Sequence, residues 1–266
     1  MQTQPAAAGL RIEREGAVAA ITMNRPEKRN ALSLQMMRDL DAAFASAAAD
    51  EAIRAIVLRA AGPVFSAGHD LRELVGRDAQ AYAEVFDACV GLMARLIATP
   101  QPVIAEVATI ATAAGCQLVA ACDLAVASTQ ATFATPGVRI GLFCSTPMVA
   151  LSRTIGRKRA MEMLLTGDSI DAQTALAWGL VNRVVAPERL HDETLALARK
   201  IASSSAAIVA IGKSAFYEQI DKNQSRAYEY AKSVMISNAL EPDASEGITA
   251  FFERRVPQWK GMPQHR

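Results

Sequence analysis

Apolar residues follow two rhythms along this chain. Short apolar runs of strand length occur at AVAAITM (17–23), AIVLRA (55–60), PVIAEVA (102–108), LAVAS (124–128) and LVNRVV (180–185), with a further short one at ATFATP (131–136). Between them the spacing turns helical. SLQMMRDLDAAFASAAAD, from Ser33, places Leu34, Met37, Leu40 and Phe44 on one face. A second helix is predicted from about Ala79 to Ile97, stopping before Pro100 and Pro102. Helical patterns resume at Pro147–Ile155, Lys158–Leu165 and Asp171–Trp178, the last closed by Gly179. PERLHDETLALARKIASSS opens a helix with proline in its first turn, and the pattern beyond it is helical only. In DASEGITAFFERR, Asp243 with Glu246 three residues on is expected to cap the last helix. NRPEKRNALS (24–33) and GPVFSAGHDL (62–71) read as loops. Strands mixed with helices, then an all-helical tail, predict an α/β core over 1–199 and a helical segment over 200–266.

Composition narrows the classes. The 266 residues suit one large domain, or a domain with a helical appendage, and 51% are hydrophobic, enough for a sizeable core. The 28 basic and 27 acidic residues nearly cancel, which argues against nucleic acid as partner. The start, MQTQPAAAGL, has neither a basic n-region nor a leucine-rich h-region, so the expected location is the cytoplasm. The charge-free run from Val107 to Cys122 is too short to span a bilayer, so no membrane is expected as partner. Cys89, Cys116, Cys122 and Cys144 have no metal-type spacing; no metal is expected, and the thiols should be reduced and buried.

Three segments could carry chemistry. Arg25, Lys28 and Arg29 cluster in a strand-to-helix loop, where such groups can meet phosphates or simply face solvent. FSAGHDL (65–71) pairs a glycine with His69, which could be a ligand, an acid/base or a plain loop histidine. TAAGCQLVAACD (112–123) is a small-residue turn running into an apolar helix, which would leave N–H groups near Ala114 unpaired or merely pack tightly. Asp123, at its end, could act as an acid or base or pair structurally.

Taken in order, NRPEKRNAL, FSAGHDL, PVIAEV, AAGCQLVAACDLAVAS, FATPGVRIGL, LLTGDSIDAQTALAWGLVNRVV and EGITAFFERR resemble the enoyl-CoA hydratase/isomerase (crotonase) superfamily over nearly the whole chain. SAGHDL, AAGCQLVAACD and FATPGVRIGLFCSTP look closest to one branch within it. The resemblance implies a crotonase-like (ClpP/crotonase) α/β spiral of strand-strand-helix repeats with a C-terminal helical oligomerisation segment, and a homotrimer or dimer of trimers. It implies an acyl-CoA substrate, with coenzyme A entering as part of that substrate and no tightly bound cofactor. The thioester carbonyl would sit in an oxyanion hole made by the backbone N–H groups of His69 and Ala114, the latter replacing a family glycine. Coenzyme A contacts would come from Arg25, Lys28, Arg29 and Ala31, from Ser66, Ala67, His69, Asp70 and Leu71, and from Gly115. Phe252 or Lys260 would close over coenzyme A from a neighbouring subunit.

The departures from the family pattern concern the chemistry. Hydratases use two glutamates to add water. Here those positions hold Gln117 and Gly137. An amide cannot accept a proton near neutral pH, and glycine has no side chain. Each missing acid–base role is worth about 10²–10⁴-fold in rate. The family label points to an enoyl-CoA hydratase-like enzyme. An acyl-CoA decarboxylase, a thioester hydrolase and a non-catalytic acyl-CoA-binding protein stand as alternatives. Cys116, Cys144 and Ser145 are further candidates to face the acyl chain, although Cys116 and Cys122 are expected in the core.

Overall fold

The computed structural model of the chain describes residues 9–261. The N-terminal residues MQTQPAAA, on which the reading of the leader rested, lie outside them. An antiparallel hairpin, β1 (Leu10–Glu15) and β2 (Val18–Met23), leads to α1 (Leu34–Ala49). Three strand-strand units follow: β3 (Ala55–Ala60) and β4 (Val64–Ser66) before α2 (Ala79–Ala98); β5 (Val103–Val107) and β6 (Ile110–Thr112) before α3 (Ala114–Ala121); β7 (Leu124–Ser128) and β8 (Thr132–Ala134) before α4 (Pro147–Thr154) and α5 (Arg157–Thr166). Then come β9 (Ile170–Asp171), α6 (Ala172–Trp178), β10 (Arg183–Val185), α7 (Leu190–Ala202), α8 (Ala206–Ile220), α9 (Gln224–Ala239) and α10 (Pro242–Glu253).

In each unit the first strand joins one sheet, ordered β1-β2-β3-β5-β7-β10, and the second joins another, ordered β4-β6-β8-β9. All pairs are parallel except β1–β2 and β8–β9. This is the expected spiral of strand-strand-helix repeats. The large sheet is buried on both faces, which is why its strands read as continuous apolar runs. Ile56, Leu58, Val103 and Ala105 point to the main core under α1 and α2. Their alternates Ala55, Val57 and Ile104 meet Leu190, Leu195 and Ala198 of α7 on the other side. Among the described residues, no single helix is long and apolar enough to cross a membrane.

Four strands escape the apolar pattern. β4 and β6 are three residues long and β9 is two, too short to show a period, and β1 (LRIERE) is an edge strand whose charged positions hide its alternation. The GPVFSAGHDL segment is therefore not all loop, because Val64–Ser66 pairs with β6. The 199/200 division falls inside α7, which covers the large sheet as far as Ala202. Asp243 does not cap the last helix. Glu241 occupies the N-cap and Pro242 the first helical position, while Asp243 turns inward to accept Ser205 Oγ–H (2.6 Å) and the N–H groups of Lys260 (2.8 Å) and Gly261 (3.0 Å). Proline in the first turn was the better start signal.

Candidate functional site

The carboxyl ends of β4, β6 and β8 are neighbours in one parallel sheet, so the segments that leave them meet at one edge. That edge receives Gly68–His69, Ala113–Ala114 and Thr135–Gly137. Ligands favour this end of open parallel sheets, where the chain turns away and backbone groups lose their sheet partners.

The turn after β4 is held by the basic loop. Asn30 is fully buried. Its Oδ1 accepts Arg25 N–H (2.8 Å), and its Nδ2 donates to Ala61 O (2.9 Å) and Val64 O (2.7 Å). Ser66 Oγ–H donates to Asn30 O (2.9 Å) and accepts Gly68 N–H (3.2 Å). Leu32 N–H donates to Gly68 O (2.8 Å) and Ala67 N–H to Arg29 O (3.0 Å). These bonds use every donor around His69 except its own N–H, which has no acceptor among the described residues. Asn30 lay unremarked inside NRPEKRNAL. Its signal is a backbone in the left-handed region (φ 48°), where asparagine is among the better-tolerated residues. Asn30→Ala is expected to cost about 3 kcal/mol, since three bonds of one buried amide go at once; urea denaturation reads this, and a loss under 1 kcal/mol would refute the keystone role.

The turn after β6 supplies the second donor. Gln117 N–H begins the helical ladder by donating to Ala113 O (3.1 Å), which leaves Ala114 N–H at the helix start without an acceptor among the described residues. Ala114 lies in α3 and its φ is not positive, so alanine keeps the donor without strain there. The glycine-like conformation falls one residue earlier, on Ala113 (φ 51°, ψ −121°). L-residues pay for that region. Ala113→Gly is expected to raise stability by about 1 kcal/mol, strain relief exceeding the entropy lost by glycine; an unchanged or lower denaturation midpoint would show that the turn is unstrained.

The two turns touch. A Cβ placed on Gly68 would lie 3.1 Å from Ala114 N and 3.0 Å from Thr112 O, so the backbone before His69 abuts the backbone of Ala114. Gly115 has the same kind of reason. A Cβ there would approach Ser66 O to 2.5 Å, and only glycine lets α3 sit this close to β4.

The remaining sequence candidates divide. Gln117 is buried and its Oε1 accepts the Cys89 S–H (3.7 Å) from α2. Gly137 is buried as well, and a Cβ there would overlap Leu142 O and stand 2.8 Å from Cys144 Sγ. Position 137 thus lacks room for any side chain. Arg25, Lys28, Arg29 and Ala31 flank the β4 turn, with Arg25 3.8 Å from Glu27. Ser66 is fully buried with its hydroxyl taken, so it shapes the turn and cannot offer that hydroxyl to a ligand. Asp70 Oδ1 caps a short 3-10 turn by accepting Arg72 N–H (3.1 Å), and Leu71 beside it is exposed. Phe252 and Lys260 are exposed in the C-terminal helical region, where α10 packs on α8 and α9.

Asp123 is structural. Its Oδ2 accepts Lys213 Nζ (2.7 Å) and Val103 N–H (2.7 Å), and its Oδ1 accepts Tyr217 O–H (2.9 Å). All four cysteines are buried and free. Burial pushes the Cys116 thiol up to about 12 and Cys89 up to about 11, and raises Cys122 and Cys144, so none is an activated nucleophile. Ser145 is exposed. Burial holds His69 below its ordinary value, so its imidazole is neutral at neutral pH. No group of three or more metal-ligating side chains occurs among the described residues.

Comparison with known proteins places the chain in one family. The enoyl-CoA hydratase/isomerase family pattern matches residues 13–263. Enoyl-CoA hydratase domain-containing protein 3, mitochondrial, of Danio rerio is 49% identical over 93% of this chain and 86% of its own. The crystal structure of human enoyl coenzyme A hydratase domain-containing protein 3 superposes with a TM-score of 0.92 at 46% identity, covering 94% of this chain and all of that one (100%). An enoyl-CoA hydratase structure from Mycobacterium smegmatis gives 0.92 at 49%, covering 95% and 99%. The branch suggested by SAGHDL and AAGCQLVAACD is thus the one these relatives name. The cytoplasmic expectation is overturned: the relatives from Danio rerio, Rattus norvegicus and Homo sapiens are all named mitochondrial. That expectation weighed the secretory pattern alone, which does not separate cytosol from organelle.

Proposed function

Because the chain belongs to the enoyl-CoA hydratase/isomerase family, we propose that it is an acyl-CoA enzyme that polarises a thioester carbonyl between the N–H groups of His69 and Ala114 and does not hydrate as a two-glutamate enzyme would. One observation carries this reading: the His69 and Ala114 N–H groups have no acceptor among the described residues, the Gly68 turn just before His69 abuts Ala114, and Gly137 has no room for a carboxylate. Donors fixed in a water-poor site stabilise an oxyanion or enolate, and losing one such donor typically costs roughly 3–4 kcal/mol of transition-state stabilisation. Arg25, Lys28 and Arg29 would hold the coenzyme A phosphates as flexible charges at the rim. Phe252 and Lys260, in the helical region where α10 packs on α8 and α9, would close over coenzyme A from a second copy in a homotrimer or dimer of trimers.

Loss of CO₂ is the second reading, favoured by the neutrality of Gln117 and Gly137. The C–C bond to the carboxylate breaks, its electron pair becomes the enolate held by the two N–H groups, CO₂ leaves, and the enolate α-carbon then takes a proton from solvent water. Hydration also protonates the α-carbon, but in addition requires a base to activate the water.

The test is vibrational and kinetic. Bound crotonyl-CoA is expected to show a lowered thioester C=O stretch, while its hydration runs at least about 10⁴-fold below that of a two-glutamate family member. An unshifted carbonyl band would remove the oxyanion hole. Fast hydration would show that another group supplies the acid and base.

A further inference from the structure

We infer that the acyl pocket selects acyl-CoAs whose chain carries a hydrogen-bonding oxygen near the thioester, over plain hydrocarbon chains, and that His69 and Thr135 are the residues that make this selection; the inference rests on the acyl-CoA reading above. Among the described residues, four buried side-chain polar atoms lack a partner in the protein. Three of them belong to this one edge: Nδ1 and Nε2 of His69 and Oγ1 of Thr135. Buried polar groups are nearly always bonded, so three orphans at the ends of two strands that flank β6 call for an explanation.

Their placement supplies one. His69 follows β4 and Thr135 follows β8, on either side of the Ala113–Ala114 turn that follows β6. Ala113 N–H donates to Ala134 O (2.9 Å), which ties the Thr135 strand end to that turn. The His69 ring stands edge-on to Phe86 of α2 (5.6 Å between centroids, 88°) and beside the Leu32 backbone, whose approach raises its pKa against the effect of burial, yet neither ring nitrogen makes a hydrogen bond of normal geometry. One helical turn on, Cys89 faces Gln117, whose amide offers a further donor and acceptor.

The surrounding charges leave the edge open to an oxygen substituent, including an anionic one. Asp70 is used as a cap, Glu73 accepts Leu34 N–H (2.8 Å), and Glu84 pairs with Arg38 (2.6 Å). Asp87, beside Phe86, is exposed. A neutral imidazole can donate once and accept once, and a threonine hydroxyl can do both. A hydrocarbon chain entering here leaves all of these unpaired; an oxygenated chain satisfies them.

Competition binding by calorimetry tests this, with butyryl-CoA as the hydrocarbon chain, 3-hydroxybutyryl-CoA for a hydroxyl and succinyl-CoA for a carboxylate. At least one oxygenated thioester is expected to bind about tenfold or more tightly than butyryl-CoA, and the arm that does so identifies the substituent. In His69→Phe and Thr135→Val, checked for native circular dichroism, that ratio is expected to fall toward one, and His69→Gln, which keeps an amide, to restore part of it. Butyryl-CoA binding as well as or better than both others, or a ratio unaltered in both variants, overturns the inference and leaves the acyl-CoA reading intact. Failure of all three thioesters to bind overturns both.

Discussion

Gly137→Glu is expected to destabilise the protein by about 3 kcal/mol and to produce no hydratase, although it restores the residue type that the family uses. The side chain cannot be seated. Its first carbon already overlaps the Leu142 carbonyl and crowds Cys144 Sγ. Leu142 cannot simply retreat, because its own N–H donates to Gly137 O (3.0 Å) across the same turn. Gly137→Ala should therefore cost nearly as much as Gly137→Glu, which separates overpacking from burial of a charge. Gln117→Glu is the contrasting change. Position 117 already holds a side chain of the same shape, so a carboxylate fits there, and it is expected to raise crotonyl-CoA hydration by up to about 10²-fold, one role of two. Thermal unfolding and initial rates on the three variants decide the matter. A stable, active Gly137→Glu would show that the 137–142 turn opens freely and that position 137 can seat a carboxylate.

Lys213→Met is expected to cost about 3–5 kcal/mol, the range for breaking one half of a buried ion pair. Lys213 and Asp123 are both largely sequestered, with side chains 7% and 15% exposed. Lys213 Nζ also donates to Leu96 O (2.8 Å) and Gln101 O (3.1 Å), so one ammonium ties α8 to the end of α2, the start of β5 and the end of α3. Burial lowers the Lys213 pKa, and the neighbouring Asp123 opposes that shift. Methionine fills the volume but leaves the Asp123 carboxylate with only Tyr217 and Val103 N–H. Lys213→Met combined with Asp123→Asn should recover part of the loss, because the stranded charge is gone while Val103 N–H keeps an acceptor. Chemical denaturation of the single and double variants measures this. A single variant within 1 kcal/mol of the parent would mean that the C-terminal helices are held to the core by apolar packing alone.

Much of the fold was legible in the sequence, and the reasons for the rest are physical. The apolar runs of the large sheet and the helical faces of α1 and α2 are properties of consecutive residues, and a period shows itself in six or more of them. β4, β6 and β8 have three residues each, so the sheet whose ends build the site left almost no pattern. Asp123 illustrates a different limit: its identity is local, while its partners Lys213 and Tyr217 lie about a third of the chain away. Asp243 misled for the same reason, since an acidic residue early in a helix reads as a cap until Ser205 and Gly261 are seen beneath it.

By itself the sequence determined the family likeness and the absence of a carboxylate at positions 117 and 137, because residue identity and order need no third dimension. Only the tertiary structure decided that the Gly68 turn before His69 abuts Ala114, that the strain sits on Ala113, that position 137 is closed to any side chain, and that His69 and Thr135 carry unpaired polar atoms. Each of these depends on where three separate strands end relative to one another, and that is set by packing between residues tens of positions apart.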